Sequence, residues 1–315
     1  MNAPRSCLDR TPIQGCTYAE RVTEAGDFEA QRRYLGAVAY RMLGTVVDAE
    51  DVLQEAWLRW REVDHAAIEN PRAYLTTVVT RLCYDHLGSA RARREAYFGE
   101  WLPEPLVDDA PGPQDRAEIG EEVSLAVMTL LERLSPAERA AIVLHDVFGV
   151  DFPLIAATLK RSETAVRQLA SRARKQVRDA GPRRTVDRAA HRRAVEAFAA
   201  AVARGDIMEL MKVLDPETVW RADGGGIVRA AVRPVHGMDN VARMVIGLAG
   251  RLLTPEMRTR FVEVNGEPGI AIHGPDGRAA AVFAFCVDDS GLITETQIVV
   301  NPEKLARVAA IDNQM

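Results

Sequence analysis

Apolar residues recur at spacings of three and four from Phe28 to about Glu95. That period indicates amphipathic helices that each bury one face. Asp48, followed by further acids, predicts the start of a second helix, and Asn70 before Pro71 predicts the start of a third. The sequence therefore predicts a helical domain over 26–95, after a polar segment at 1–25 that we expect to be mobile.

Prolines and glycines interrupt this period between 96 and 120, which predicts a linker. Helical periodicity resumes over 121–180. Within it, Ser135, Pro136 and Glu138 have the spacing of a capping box with proline in the first turn. Asp151 predicts a further short helix, and Ser162 can cap the last one. In that last helix one face is apolar, formed by Val166, Leu169, Ala170, Ala173 and Val177.

The pattern changes again after Pro182. We expect helices at about 186–203 and 239–252, followed by segments in which apolar and polar residues alternate. Segments 279–287 and 292–300 flank a short polar stretch that ends in glycine, which predicts a β-hairpin. Helices followed by strands are typical of an α+β domain, here over 186–315.

Composition fits a multidomain globular protein, with 47% hydrophobic and 27% charged residues in 315. No apolar run approaches the roughly 20 residues of a membrane-spanning helix, and the N-terminus lacks the apolar core of a secretory signal. We therefore expect a cytoplasmic protein without a membrane partner. The four cysteines lack the spacing of a zinc site or a disulfide framework. We expect neither a metal nor a cofactor.

The net charge is −5, yet basic residues cluster between 160 and 178 around a single acid, Glu163. Two short helices with a tight turn, the second of them basic, predict a helix-turn-helix that enters the major groove of DNA. A basic helix that only faces solvent is the alternative. The candidate DNA contacts on this helix are Arg167, Gln168, Ser171, Arg172, Arg174 and Lys175.

Three stretches resemble regions of bacterial sigma factors, in the family order. DAEDVLQEAWLRW at 48–60 resembles the region that docks on RNA polymerase. NPRAYLTTVVTRLCYDHLGSARARRE at 70–95 resembles the region that melts and reads the minus-ten element. LSPAERAAIVLHDVFGVDFPLIAATLKRSETAVRQLASRARK at 134–175 resembles the domain that reads the minus-thirty-five element. The pair of domains points to the extracytoplasmic-function (ECF) group, with sigma domain 2 at 26–95 and sigma domain 4 at 121–180.

The resemblance implies that the partners are promoter DNA and the RNA polymerase core, through its β′ clamp helices and β subunit. On the docking helix the candidates are Asp51, Gln54, Glu55 and Trp57, although Trp57 equally suits a core position. For the minus-ten element the candidates are Asn70, Arg72, Arg81, Asp85, Arg91, Arg93 and Arg94. Asp85 can instead cap a helix or pair with an arginine, and the arginine run can instead be solvated.

Three further motifs, WLPEP at 101–105, DGGG at 223–226 and NPEKL at 301–305, resemble the sigma J type of ECF factor. That type carries a fused SnoaL-like domain, an α+β cone of the nuclear-transport-factor (NTF2) kind, which implies regulation in place of a separate anti-sigma protein. Trp101 is then expected to dock near the DGGG loop, the alternative being that it packs on a sigma domain. The residues implied are Trp101, Leu102, Pro103, Asp223, Gly224, Gly225, Gly226, Asn301, Pro302, Lys304 and Leu305.

Two other functions are alternatives to this interpretation. Cone domains of this kind include enzymes with a general base, for which Asp223, His236 and His273 are candidates, and the cone is also a candidate site for a small ligand. A one-component repressor would combine a helix-turn-helix with a ligand domain, but it leaves the resemblances at 48–60 and 70–95 unexplained.

Overall fold

The computed structural model describes residues 18–95, 97–108, 123–180 and 187–311, with the side chains of 18–25, 89–95 and 180 outside the description. Helices α1 (Tyr18–Leu43), α2 (Val46–Trp60) and α3 (Pro71–Glu95) form the first block. Across these ranges, no helix is both long and apolar enough to cross a membrane.

Helix starts follow side-chain caps in this block. The Asn70 carboxamide oxygen accepts a hydrogen bond from the Ala73 amide at 3.0 Å, which confirms the predicted cap of α3. The predicted start of α2 at Asp48 is wrong. Thr45 caps this helix through the Asp48 amide, and its hydroxyl also donates to the Asp48 carboxylate at 2.7 Å. Asp48 therefore lies inside the first turn.

The second helical block contains α4 (Leu125–Leu131), α5 (Pro136–Ile142), α6 (Phe152–Leu159) and α7 (Glu163–Ala180). The capping box of Ser135 and Glu138 is confirmed at the start of α5, which continues as a π-helical turn over Val143–Val147. Ser162 caps α7 through the Ala165 amide at 3.2 Å. Lys160 ends α6 in the left-handed region, so α6, the turn and α7 form the predicted helix-turn-helix.

The two helical blocks share one hydrophobic core, whereas the linker pattern suggested separately tethered modules. The rings of Tyr34 on α1 and Phe148 beyond α5 meet edge to face, with centroids 5.3 Å apart. Arg139 on α5 is 2% exposed, donates to the Arg41 backbone carbonyl at 3.1 Å and pairs with Glu132. A buried arginine with these partners fixes α5 against α1.

The C-terminal domain is built on a seven-stranded sheet whose inner face is covered by helices. Its strands follow the order β1-β4-β5-β6-β7-β2-β3, and all neighbours are antiparallel except β2 and β7. The strands are β1 (Val107–Asp108), β2 (Leu214–Asp223), β3 (Val235–His236), β4 (Arg258–Val264), β5 (Glu267–His273), β6 (Ala279–Val287) and β7 (Ile293–Val299). The predicted β6–β7 hairpin is confirmed. Strand β1 comes from the predicted linker, which therefore forms part of the sheet.

The helices of this domain are α8 (Arg188–Arg204), α9 (Ile207–Val213), α10 (Met238–Leu252) and α11 (Pro302–Leu305). Helices α8 and α10 pack on the inner face of the sheet around Trp220 and Phe285. The outer face carries a second cluster that joins Leu102 of the linker, Leu125 of α4 and Leu305 of α11. Linker, sigma block and cone thus meet on the outer face.

Candidate functional site

Asp223, at the end of β2, binds the linker with both carboxylate oxygens. One oxygen accepts from the Tyr97 hydroxyl at 2.6 Å and from the Gly225 amide at 3.0 Å. The other accepts from the Leu102 amide at 2.8 Å and from the Lys304 ammonium at 2.6 Å. The Asp223 side chain is fully buried, and these donors are what makes its burial tolerable.

Lys304 completes this cluster from α11. Its ammonium also donates to the Leu102 carbonyl at 2.5 Å and lies 4.0 Å from the centre of the Trp101 ring. Trp101 in turn lies against Gly44 between α1 and α2. The tryptophan therefore contacts a sigma domain and the cone at once, which joins the two interpretations considered for it.

The motif residues around this ion pair have distinct roles. Asn301 caps α11 through the Glu303 amide at 3.0 Å and donates to the Tyr97 hydroxyl at 3.0 Å. Gly225 has a positive φ of 65°, and a β-carbon there would overlap the Asn301 carboxamide. The remaining positions are structural: the Gly224 carbonyl accepts the Val228 amide, Pro302 begins α11, and Pro103 and Leu305 are buried.

Tyr97 belongs to this cluster, although the motifs did not reveal it. It precedes WLPEP, and no pattern in the sequence marks it. Burial and the adjacent Asp223 raise the pKa of its hydroxyl, which keeps it protonated as the donor to Asp223.

Glu104 anchors the same linker segment to the first sigma block. Its amide donates to the Gly44 carbonyl at 2.8 Å, and its carboxylate accepts the Val46 amide, the first of α2, at 2.7 Å. The Tyr40 hydroxyl donates to the Glu104 carbonyl at 2.7 Å. Burial raises the pKa of Glu104, opposed by the Val46 hydrogen bond.

Asn265 lies in the turn between β4 and β5 of the cone and bonds both the linker segment and the first sigma block. Its amide oxygen accepts from the Leu106 amide at 3.1 Å, and its amide nitrogen donates to the Tyr40 hydroxyl at 2.9 Å. An Asn-Gly pair signals a tight turn but says nothing of its partners, so the sequence could not assign this role. We call residues 97–108 the strap and its contacts with Asp223, Lys304 and Asn265 the clasp.

The predicted minus-thirty-five contacts lie on the exposed side of α7, and their arginines are held by acids of the same block. Arg167 pairs with Glu163 at 2.5 Å and lies 4.4 Å from the Phe152 ring centre. The other pairs are Arg172 with Glu138 at 3.0 Å and Arg174 with Asp146 at 2.5 Å. Gln168, Ser171 and Lys175 are exposed.

Of the predicted minus-ten residues, the four whose side chains the structure describes have different surroundings. Arg72 lies 3.9 Å from the Tyr34 ring centre and Asp85 is exposed, while Asn70 serves as the cap. Arg81 donates to the backbone carbonyls of Thr158 at 3.2 Å and Ala157 at 3.3 Å, at the end of α6. The side chains of Arg91, Arg93 and Arg94, in the last turns of α3, lie outside the description.

On α2, Asp51, Gln54 and Glu55 are exposed, as polymerase docking requires. Trp57 is half-buried and packs on Phe28 with ring centroids 5.1 Å apart, which favours the core alternative. The same helix also exposes Val47 and Leu58, each by 52%, which the motifs did not mark.

The residues considered for catalysis are separated. Asp223 is enclosed by the strap, His236 is exposed on β3, and the His273 ring bonds the Ala309 carbonyl at 3.1 Å. Strands β2 and β5 are three positions apart in the sheet, roughly 14 Å. No group of metal-binding side chains occurs in the part of the chain that the structure describes.

Comparisons with known proteins agree with this architecture. The family models Sigma-70 region 2 and Sigma-70, region 4 match residues 28–93 and 124–177. ECF RNA polymerase sigma factor SigJ of Mycobacterium tuberculosis (strain ATCC 25618 / H37Rv) is 44% identical over 299 residues, 89% of this chain and 93% of SigJ. SigI of the same strain is 34% identical over 281 residues, 88% of this chain and 93% of SigI.

The crystal structure of Mycobacterium tuberculosis SigJ superimposes with a TM-score of 0.71 at 40% identity, covering 90% of this chain and 98% of SigJ. Coverage of this extent includes both helical blocks and the sheet domain. The chain belongs to the ECF family of RNA polymerase sigma factors, transcription initiation factors that bind core polymerase and promoter DNA, and it carries a fused C-terminal SnoaL-like domain.

Proposed function

We propose that the SnoaL-like cone regulates this sigma factor by holding the strap, and through it both sigma domains, in a closed arrangement. The observation that carries the proposal is the double anchoring of the strap. Leu102 and Leu106 bond the cone, whereas Glu104 between them bonds α1 and α2. Once the Glu104 contacts break, the cone and the strap would therefore leave α1 and α2 together.

The closed arrangement conflicts with simultaneous reading of both promoter elements. Their names imply a separation of about 25 base pairs, roughly 85 Å of duplex. In the closed chain α3 contacts α6 directly, since the hydroxyls of Thr77 and Thr158 lie 3.4 Å apart. The two DNA-reading domains must separate before transcription begins.

Surface exposure supports the assignment of roles in the opened state. Asp51, Gln54 and Glu55 would dock on the β′ clamp helices, with α3 on the minus-ten element and α7 on the minus-thirty-five element, next to the β subunit. Asp146 and Glu138 hold Arg174 and Arg172 in place until phosphates replace the carboxylates as partners.

A small ligand inside the cone is part of the proposal as the opening signal. The hydroxyls of Thr218 and Thr296 are fully buried in the sheet and have no hydrogen-bond partner among the described residues. A ligand that supplies those partners would stabilise the cone, and a rise in its melting temperature during a metabolite screen would detect it.

A reversible cross-link tests the closed state. Thr77→Cys with Thr158→Cys places two thiols where the hydroxyls now meet, within reach of a disulfide. We expect the oxidised chain to lose promoter-dependent transcription with core polymerase and to regain it on reduction. Each single variant, treated identically, controls for the native cysteines. Full transcription by completely cross-linked protein would contradict the proposal.

A further inference from the structure

The loop that follows Asp223 carries positive charge without acids. Residues 224–238 include Arg229 and Arg233 and contain no aspartate or glutamate. Both arginines are exposed, and neither has an ion pair within the described residues. They differ in this from Arg167, Arg172 and Arg174 of α7, whose charges are already paired. Uncompensated arginines on an exposed loop form a surface for a polyanion.

Apolar side chains share this surface. Ile227, Val228 and Val232 are 58%, 42% and 49% exposed, and Phe98 of the strap is 67% exposed. Gly226 has a positive φ of 71°, and Phe98 packs closely against it. A β-carbon at position 226 would lie only 3.4 Å from the β-carbon of Phe98. The phenylalanine therefore rests on the loop and presents most of its ring to solvent.

The position of this surface follows from the chain path. Helix α3 ends at Glu95, and Tyr97, two residues later, is fixed to Asp223 and Asn301. Phe98 follows Glu95 by three residues, which span at most about 11 Å, so Phe98 and the loop lie near the C-terminal end of α3. Helix α3 is the element assigned to the melted minus-ten strand.

We propose that Phe98 together with Arg229 and Arg233 forms a binding surface for single-stranded promoter DNA that continues from the end of α3. An exposed aromatic ring beside cations is the arrangement that binds unpaired bases: the ring stacks on a base and the guanidinium groups contact phosphates. The cone is then a DNA-contacting part of the initiation factor as well as a clasp. This inference rests on the proposed role of α3 in reading the minus-ten element.

The test uses the full-length chain, alone and bound to core polymerase, with a labelled deoxythymidine strand of about 15 nucleotides and a duplex of equal length. Phe98→Ala is expected to weaken binding of the strand roughly fivefold or more, with little effect on the duplex. Arg229→Ala with Arg233→Ala is expected to lower the slope of log affinity against log salt by about 1.4, because each neutralised phosphate of a single strand contributes about 0.7.

Matched variants elsewhere in the cone control for charge and ring removal. Phe261 on β4 is 56% exposed, so Phe261→Ala removes a similar ring. Arg204 and Arg251 are exposed at the ends of α8 and α10. The length of α10 places Arg251 about 20 Å from the loop. These controls are expected to leave binding of the strand and the salt slope unchanged.

Several results would overturn the inference. They are undetectable binding of the strand by the unmodified chain, equal losses for strand and duplex, or a loss of polymerase binding alone, which would make the surface a protein contact. Arg72→Ala shows whether a negative result contradicts only this inference or also the proposed role of α3 in binding the minus-ten strand. If Arg72→Ala weakens strand binding while Phe98→Ala and the arginine pair do not, only this inference fails. If Arg72→Ala has no effect either, the role of α3 fails too.

Discussion

The Asp223 carboxylate and the Lys304 ammonium lie 2.6 Å apart, with side chains 0% and 9% exposed. A buried ion pair is stabilising only while hydrogen bonds satisfy both charges, and here the strap supplies them from the Leu102 amide and carbonyl and the Tyr97 hydroxyl. If the strap moves away, the ion pair either becomes exposed to solvent or stays buried without the hydrogen bonds from Leu102 and Tyr97. The clasp therefore behaves as a single unit.

Asp223→Asn is expected to destabilise the chain by about 3 kcal/mol, because it leaves the Lys304 charge buried without a counter-ion. Lys304→Met should be less harmful when combined with Asp223→Asn than alone, giving a coupling energy above about 1 kcal/mol in urea unfolding. Lys212→Met serves as the control, since its pair with Glu209 is exposed at 67% and 45%. Strictly additive effects would contradict a coupled clasp.

Asn265→Gly removes the side-chain bonds to Leu106 and Tyr40 but keeps the positive φ of 51° free of strain. We expect faster hydrogen exchange at 104–108, with about 1–3 kcal/mol less protection, while the loop at 223–226 keeps its protection. Asn240→Ala, which removes only an exposed bond to the His236 carbonyl, provides the comparison. Unchanged exchange at the strap would show that Asn265 does not hold it.

Arg81 joins α3 to the C-terminal end of α6. Its positive charge there also interacts favourably with the negative end of the helix dipole. Arg81→Ala is expected to raise the ratio of open to closed chains roughly fivefold or more, as loss of about 1 kcal/mol implies. Fluorescence transfer between labels on α3 and α6 measures that ratio. Arg32→Ala, from an exposed pair with Glu29, is expected to change nothing.

Local signals in the sequence located most elements of the fold. The Asn70 cap, the Ser135–Glu138 capping box and the polar turn between β6 and β7 act over a few residues, so pattern alone identifies them. Thr45 rather than Asp48 caps α2 because threonine presents its hydroxyl to the same first turn. The sequence pattern does not show which of two capping residues three positions apart, here Thr45 and Asp48, begins the helix.

Contacts between distant segments were beyond the sequence. Tyr97 and Asn265 bond partners more than a hundred residues away. Tyr97 lies in no recognisable motif, and the pair Asn265-Gly266 indicates only a turn. Arg81 was assigned to DNA from its charge, yet its guanidinium binds carbonyls of α6, a choice that only the packing of the two sigma blocks determines. The WLPEP, DGGG and NPEKL motifs did converge on one cluster, since all three surround Asp223 and Lys304.

His191, on α8, gives the cone a distinctive acid response. Its side chain is 3% exposed, and burial, with a smaller effect of Arg188, lowers its pKa to about 4 from the ordinary 6.5. Arg188 itself pairs with Glu263 on β4. Above pH 6.5 the ring is neutral in both states. As the pH falls from 6.5 towards 4, the unfolded chain takes up a proton that the folded chain refuses, so stability is lost, by up to about 3 kcal/mol.

His191→Leu removes this group and should flatten the fall in melting temperature between pH 6.5 and 4 relative to the unmodified chain. Exposed His236 provides the control, because His236→Gln leaves the buried ring in place and should preserve the full difference. The substitution also removes a buried Nε2 atom that has no hydrogen-bond partner among the described residues, so folding at neutral pH should not suffer from a lost bond. Parallel pH curves for His191→Leu and the unmodified chain would show that His191 takes up its proton at the same pH in the folded cone as in the unfolded chain.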